Sequence, residues 1–148
     1  MPIPEFNRDG FLPVGVYDCE WDEIQHRFGR TENGASRAFL FARLLEYRSE
    51  LHATGLAMGL IVDGSFVTQT ADPHDIDLVL ILSKDHDFTA EMRPFEYNAL
   101  SRRRVSKRFA FDLLVARDDS VELEEYIEFF QQVRGQTGRR KGILRVQP

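Results

Sequence analysis

The sequence has little of what defines several classes of protein. It has one cysteine, Cys19, in 148 residues, which excludes an intrachain disulfide framework and a cysteine-rich zinc site. No apolar run approaches the roughly 18 residues needed to cross a membrane. The first residues, Met-Pro-Ile-Pro-Glu, provide neither the basic nor the apolar region of a secretory signal. We therefore expect a cytoplasmic protein with no membrane partner.

The composition is that of an ordinary globular domain. Apolar residues make up 43% of the chain and charged residues 29%, which excludes a disordered or fibrous protein. The length suits one hydrophobic core, so we predict a single domain over residues 1–148. Residues 1–17 combine turn formers with apolar side chains and are predicted to form an ordered N-terminal arm.

Basic residues are concentrated in two segments of an acidic chain. The net charge is −5, yet residues 101–108 and 134–145 each hold five basic side chains and no acidic one. Two such patches indicate attraction to phosphate at particular places, although solvated surface explains either patch equally simply. If residues 101–108 lead into a strand, they lie near the rim of any site at the start of that strand.

Apolar periodicity predicts an α/β fold with a small mixed sheet flanked by helices. Strands are expected over residues 56–62, 75–82 and 109–116, with an edge strand over 143–146. Helices are expected over residues 18–28, 35–51, about 93–103, and after a capping box that starts at residue 119.

A chemically informative pattern surrounds the second strand. Gly64-Ser65 is followed, after nine residues, by Asp75-Ile76-Asp77 at the start of an apolar strand. Side chains at positions i and i+2 of a strand share a face, so the two carboxylates should lie side by side and repel each other. A hard divalent cation such as Mg²⁺ relieves that repulsion, because it prefers oxygen ligands. The glycine–serine turn is suited to hold phosphate opposite the metal.

Asp112 is the candidate for a third carboxylate. It lies in the apolar segment Phe-Ala-Phe-Asp-Leu-Leu-Val, where a charge needs a partner. Metal-assisted phosphoryl or nucleotidyl transfer commonly uses acidic residues from neighbouring strands. An ion pair with an arginine is the alternative explanation of this residue.

These residues resemble a known signature. Gly64-Ser65 and the later Asp75-Ile76-Asp77 are similar to the motif of the DNA polymerase β-type nucleotidyltransferase superfamily. Within it, the chain most resembles a bacterial family of small nucleotidyltransferase-like proteins of unknown function. The residues that carry the closer resemblance are 3–7, 10–13, 21, 28–29, 63–68, 73, 75–77, 129–131 and 141–143. The family's Pro-Pro-Gly-His segment is replaced here by Pro-Val-Gly-Val, so we assign no catalytic role to that segment.

The resemblance implies a minimal nucleotidyltransferase fold and a specific distribution of roles. Asp75, Asp77 and Asp112 would be catalytic and would bind Mg²⁺ (or Mn²⁺), and Gly64 and Ser65 would contact the phosphates of an NTP. The implied reaction moves a nucleoside monophosphate to a hydroxyl of RNA, protein or a small molecule. Relatives often occur in toxin–antitoxin or phage-defence settings, which implies a toxin or antitoxin partner. The alternative is a non-catalytic binding module that keeps the fold and partners a toxin or nucleic acid.

Overall fold

Helices and strands alternate along the chain. A computed structural model describes residues 3–148. The strands are β1 Gly15–Cys19, β2 Ala57–Asp63, β3 Asp77–Leu82, β4 Asp112–Arg117 and β5 Gly142–Val146. The α-helices are α1 Trp21–Ile24, α2 Ala35–Thr54, α3 Pro94–Leu100, α4 Arg102–Phe109 and α5 Val121–Phe130. A π-helical turn, Gln25–Gly29, follows α1, and two 3-10 turns occupy Thr31–Asn33 and Ser65–Val67.

The five strands form one mixed sheet in the order β1-β5-β2-β3-β4. Strand β1 is parallel to β5 and β3 is parallel to β4, whereas β2 is antiparallel to both β5 and β3. The predicted α/β class with a small mixed sheet is therefore confirmed. The expected edge position of the last strand is wrong, because β1 pairs with the outer side of β5 and becomes the edge itself.

The N-terminal region differs from its prediction in where the first strand and the first helix begin. Ile3 and Leu12 are buried, as expected of an ordered arm, but residues 15–17 belong to β1. Residues 1–2 of the predicted arm lie outside the described residues. Asp18 was expected to cap a helix and instead lies within β1, and Glu20 is the residue that caps α1. The short strand alternates half-buried and exposed positions, which is the signature of period two rather than of a helix.

Helix α2 matches its predicted pattern. Leu40, Leu44, Tyr47 and Leu51 are all buried along one face. Gly55 ends the helix with φ +66°, a left-handed conformation that glycine adopts without a Cβ clash. The helix continues to Thr54, one turn beyond the predicted end.

The single helix predicted over residues 93–103 is two helices. Ser101 has extended backbone, and its side chain accepts a hydrogen bond from the Arg104 N–H at 3.3 Å, so it ends α3 and caps α4. Ala110, with φ +61°, ends α4, which delays the following strand to Asp112. The last helix, α5, is capped by Ser120 instead of Asp119, and its hydroxyl accepts from the Leu123 N–H at 3.1 Å.

The two faces of the sheet pack against different helices. In β3, Leu78, Leu80 and Leu82 belong to a large apolar cluster that includes residues of α2, α3 and α4. Val79 and Ile81 face the opposite side, where residues of α5 form a smaller cluster. Because Asp77 alternates with Leu78, it lies on the α5 side of the sheet. No helix within residues 3–148 has the length and apolar character needed to cross a membrane.

Candidate functional site

Three carboxyl groups lie in a row across neighbouring strands. Asp63, at the end of β2, is the register partner of Asp77, which begins β3. Asp77 is in turn the register partner of Asp112, which begins β4. Register partners on adjacent strands project to the same face of a sheet, so all three side chains lie on the α5 side. Asp63 is buried, Asp77 is half-buried and Asp112 is exposed.

Asp75 reaches this row through the glycine–serine turn rather than through strand alternation. It was expected within a strand, but β3 begins two residues later at Asp77. The Ser65 N–H donates to Asp75 Oδ1 at 3.1 Å, and the Ser65 hydroxyl donates to the same oxygen. Ser65 Oγ also accepts from the backbone N–H groups of His74 and Asp75, at 3.1 and 3.2 Å. The turn and the Asp75 carboxylate are thereby held as one unit.

Gly64 permits the close contact between this turn and the start of β3. Its φ is +95°, and a Cβ added there would lie 2.7 Å from Asp75 O and 3.0 Å from Asp77 N. Both contacts are with backbone atoms, which cannot turn away as a flexible side chain can. A side chain at this position would push the Gly64–Ser65 turn away from the two carboxylates.

We expect Gly64→Ala to lower the free energy of unfolding by about 2–3 kcal/mol, because backbone strain and overpacking act together. Gly55→Ala is the matched control, since that glycine also has positive φ but has nothing within 4 Å of its added Cβ. The control should lose only about 1 kcal/mol. Urea denaturation of both variants measures the difference, and equal losses would show that the turn can move away from β3 without cost.

Asp63 was not predicted as part of the site, and neither was its partner. Lys141 Nζ forms a buried ion pair with Asp63 Oδ1. The two residues are 78 positions apart, so no local pattern pairs them. Asp63 ends an apolar strand immediately before Gly64-Ser65, and that position was the available signal.

Burial and mutual repulsion perturb the carboxyl groups. Burial is the main cause that raises the pKa of Asp77 to about 6, and the charges of Asp75, Asp63 and Asp112 raise it further. The positive charge of Arg134 acts in the opposite direction. Burial also raises the pKa of Asp63, against the effect of Lys141. The row of carboxyls therefore favours either a bound proton or a bound cation near Asp77.

The row forms one wall of an open cavity of about 1020 Å³. The same cavity is also lined by a hairpin over residues 131–141, which we call the C-terminal hairpin. Its two sides are joined by the Gln132–Arg140 bridge and by the Val133 N–H, which donates to Arg139 O at 3.0 Å. Predicted site residues of β3 and β4 therefore line the same cavity as basic residues from the end of the chain.

The donor atoms suit a hard divalent cation. Because Asp63 is neutralised by Lys141, the carboxylates that remain for a cation are those of Asp75, Asp77 and Asp112. Carboxylate oxygens are the ligands preferred by Mg²⁺ and Mn²⁺. Within residues 3–148, no three histidine, cysteine or acidic side chains are already gathered into a metal-binding group. Binding of a cation by these carboxylates therefore stays a prediction.

Arg37 supports the site by binding the loop that follows the glycine–serine turn. It is buried, and its guanidinium donates to the carbonyl oxygens of Phe66, Thr68 and Thr70 at 2.5, 2.6 and 2.5 Å. These carbonyls belong to the loop that follows Gly64-Ser65. From the sequence, Arg37 suggested a phosphate contact or a surface ion pair at the start of a helix. Its buried contacts were not predicted, because they depend on the loop folding back over α2.

The basic segment 101–108 forms helix α4. Val105 is buried, whereas all five of its basic side chains are exposed. Arg102 lines the cavity, and Arg108 forms an ion pair with Glu50 at 2.5 Å. The helix leads into β4 but packs on the sheet face opposite to the Asp112 side, and of its five basic residues Arg102 alone lines the cavity. Whether this charge attracts a polyanion stays a prediction.

We compared the chain with protein families, with curated proteins and with solved structures. No curated protein and no solved structure matches it. A family model described as a family of unknown function (DUF6932) matches residues 4–147. Because the match spans nearly the whole length, the chain belongs to the DUF6932 family.

Proposed function

We propose that this protein is a metal-dependent nucleotidyltransferase that moves a nucleoside monophosphate from an NTP to a hydroxyl acceptor. One observation carries the proposal. The Gly64–Ser65 turn is hydrogen-bonded onto Asp75, directly beside the Asp77–Asp112 register pair, at an open cavity. A glycine–serine turn and several carboxylates that line one cavity suit in-line transfer at phosphorus.

Asp75, Asp77 and Asp112 would hold Mg²⁺ or Mn²⁺. When bound, the metal supplies charge neutralisation on the phosphates and makes an acceptor hydroxyl more acidic. Without a cation, the carboxylate row repels a polyanionic NTP, since like charges at close range are unfavourable. Metal dependence therefore follows from the charge of the cavity wall as much as from the chemistry.

The chain's own groups would orient the reactants. Ser65 holds Asp75 through its N–H and hydroxyl, and the same edge of the turn faces the cavity where phosphates would lie. Gly64 keeps the turn against β3. In the reaction, a bond forms between the acceptor oxygen and the α-phosphorus, the bond to pyrophosphate breaks, and the hydroxyl proton leaves to solvent or to a carboxylate. The proposed acceptors are RNA, a protein side chain or a small molecule, in a toxin–antitoxin or phage-defence setting.

Transfer of a labelled phosphate from an NTP to an acceptor tests the reaction directly. The protein is incubated with each NTP, labelled on the α- or the γ-phosphate, together with Mg²⁺ or Mn²⁺ and a lysate. We expect label from the α-position alone to appear on an acceptor, and EDTA to abolish it. Label from the γ-position would indicate phosphoryl transfer and contradict the proposal.

Ligand-induced stabilisation separates the enzyme from the non-catalytic alternative. A ligand at 100 times its dissociation constant should raise the free energy of unfolding by about 2.7 kcal/mol. Stabilisation that needs both metal and NTP, together with transfer, supports the enzyme. Stabilisation without transfer to any acceptor would instead support a non-catalytic binding module.

A further inference from the structure

The C-terminal hairpin is fixed in place by ion pairs that use most of its basic side chains. Arg139 Nη1 lies 3.2 Å from Asp9 Oδ1 of the N-terminal arm. Arg140 Nη2 lies 2.8 Å from Glu128 Oε2 on α5. Lys141 is paired with Asp63. These three pairs tie the hairpin to three different parts of the structure.

Arg134, near the tip of the same hairpin, is different. It is exposed and lines the cavity, and it makes no ion pair or hydrogen bond with any residue of the described part of the chain. Its positive charge lowers the pKa of Asp77, which lines the same cavity, against the larger effect of burial. A guanidinium has a planar set of donors that binds phosphate oxygens in pairs. Arg134 is therefore available to an anionic ligand that lies between the hairpin and the carboxylates.

Phe129 adds an aromatic surface to the same wall. It stands in the last turn of α5, lines the cavity, and is 59% exposed. Its neighbour Phe130 is buried, with ring centroids 6.2 Å apart, so the end of the helix is anchored while the Phe129 ring faces solvent. An exposed aromatic ring on the wall of an open cavity suits a flat aromatic ligand, since every nucleobase has a face on which such a ring can stack.

We propose that Arg134 binds the phosphates of a nucleotide and that Phe129 stacks on its base, which makes the C-terminal hairpin side the second wall of the nucleotide site. This inference rests on the proposed function and identifies residues for it outside the glycine–serine and aspartate motif. Arg134 alone would suit any polyphosphate, and Phe129 alone would suit any aromatic molecule. Their presence in one cavity selects a ligand that has both parts.

Two ligands separate the two roles. Dissociation constants for ATP and for inorganic tripolyphosphate are measured by calorimetry with Mg²⁺, on the whole protein and on Arg134→Ala and Phe129→Ala. We expect Arg134→Ala to weaken both ligands by roughly tenfold or more, because it removes charge-assisted hydrogen bonds. We expect Phe129→Ala to weaken ATP by roughly tenfold and to leave tripolyphosphate unchanged, because only ATP has a base to stack.

The chain offers matched controls. Phe39 on α2 is also 59% exposed but lies outside the cavity, so Phe39→Ala should leave both affinities unchanged. Arg30→Ala removes an exposed arginine outside the basic segments that does not line the cavity, and it should have little effect. Phe129→Trp should retain ATP affinity, whereas Phe129→Leu should not.

The outcomes distinguish this inference from the proposed function. If α-phosphate transfer occurs but both variants bind ATP as tightly as the wild type, the inference is wrong and the function stands. If ATP binds with the expected losses but no transfer is found, the nucleotide site stands and the enzymatic proposal fails. A wild-type protein that binds neither ATP nor tripolyphosphate overturns the inference. Loss in Arg134→Ala alone overturns the assignment of the base to Phe129.

Discussion

Asp77→Asn is expected to lower metal-dependent transfer by roughly a thousandfold or more while it stabilises the metal-free protein. Asp77 occupies the middle of the carboxylate row, between its register partners Asp63 and Asp112. Asparagine preserves the shape of the side chain but removes the charge, so the variant loses affinity for a cation. The same change removes the repulsion and the burial cost of the ionised group.

The stability effect of this substitution depends on pH. The pKa of Asp77 is raised to about 6 in the folded protein, above its ordinary value of 3.8. The folded protein therefore holds this proton more tightly than the unfolded chain does, and stability is lost as pH rises from about 4 through about 6. Asparagine cannot ionise, so its advantage should be small at pH 4 and about 1–2 kcal/mol at pH 8, after allowance for partial exposure.

Urea denaturation in EDTA at pH 4 and pH 8 measures this difference, and labelled transfer measures the loss of activity. Asp18→Asn is the matched control, since Asp18 is exposed on β1 at the opposite edge of the sheet from β4. Added Mg²⁺ should stabilise the wild type and the control, but not Asp77→Asn. Transfer that survives in Asp77→Asn would exclude Asp77 as a metal ligand, and an unchanged stability at pH 8 would contradict its raised pKa.

Local patterns predicted those parts of the fold whose contacts are close in sequence. Helix α2 followed from the spacing of Leu40, Leu44 and Leu51, and β3 and β4 followed from apolar runs, of which β3 alone is buried on both faces. The short strand β1 was missed because its signal is weak and its partner β5 lies at the other end of the chain. Pairing between distant segments leaves no trace in the periodicity of either one.

The same distinction between local and distant contacts applies to the candidate site. Ser65 and Asp75 are ten positions apart, so a motif within one stretch of chain placed the turn near the acidic residues, but the hydrogen bonds from Ser65 to Asp75 were not predicted. The register that places Asp112 beside Asp77 depends on where each strand begins, and Ala110 sets that start for β4 by ending α4. The C-terminal hairpin, which lines the same cavity, could not be placed from the sequence, because its position depends on ion pairs to the N-terminal arm, to α5 and to β2.

Lys141→Met is expected to lower the free energy of unfolding by about 3–5 kcal/mol at neutral pH, because it leaves the Asp63 charge buried without a partner. Methionine keeps most of the apolar stem of lysine, so the loss reports the charge rather than a cavity. Urea denaturation at pH 7 provides the measurement. Arg140→Met is the matched control from the same hairpin, since its pair with Glu128 is exposed and should contribute less than about 1 kcal/mol.

Two further measurements identify the cause of that loss. In Lys141→Met the Asp63 pKa should rise further, since burial already raises it and Lys141 no longer opposes the rise. The variant's deficit relative to the wild type should therefore shrink as pH falls and Asp63 takes up a proton. The double variant Asp63→Asn, Lys141→Met should recover much of the lost stability, because no buried charge remains. A deficit that is independent of pH and persists in the double variant would mean that Lys141 stabilises the hairpin by packing, and that Asp63 is not held ionised by it.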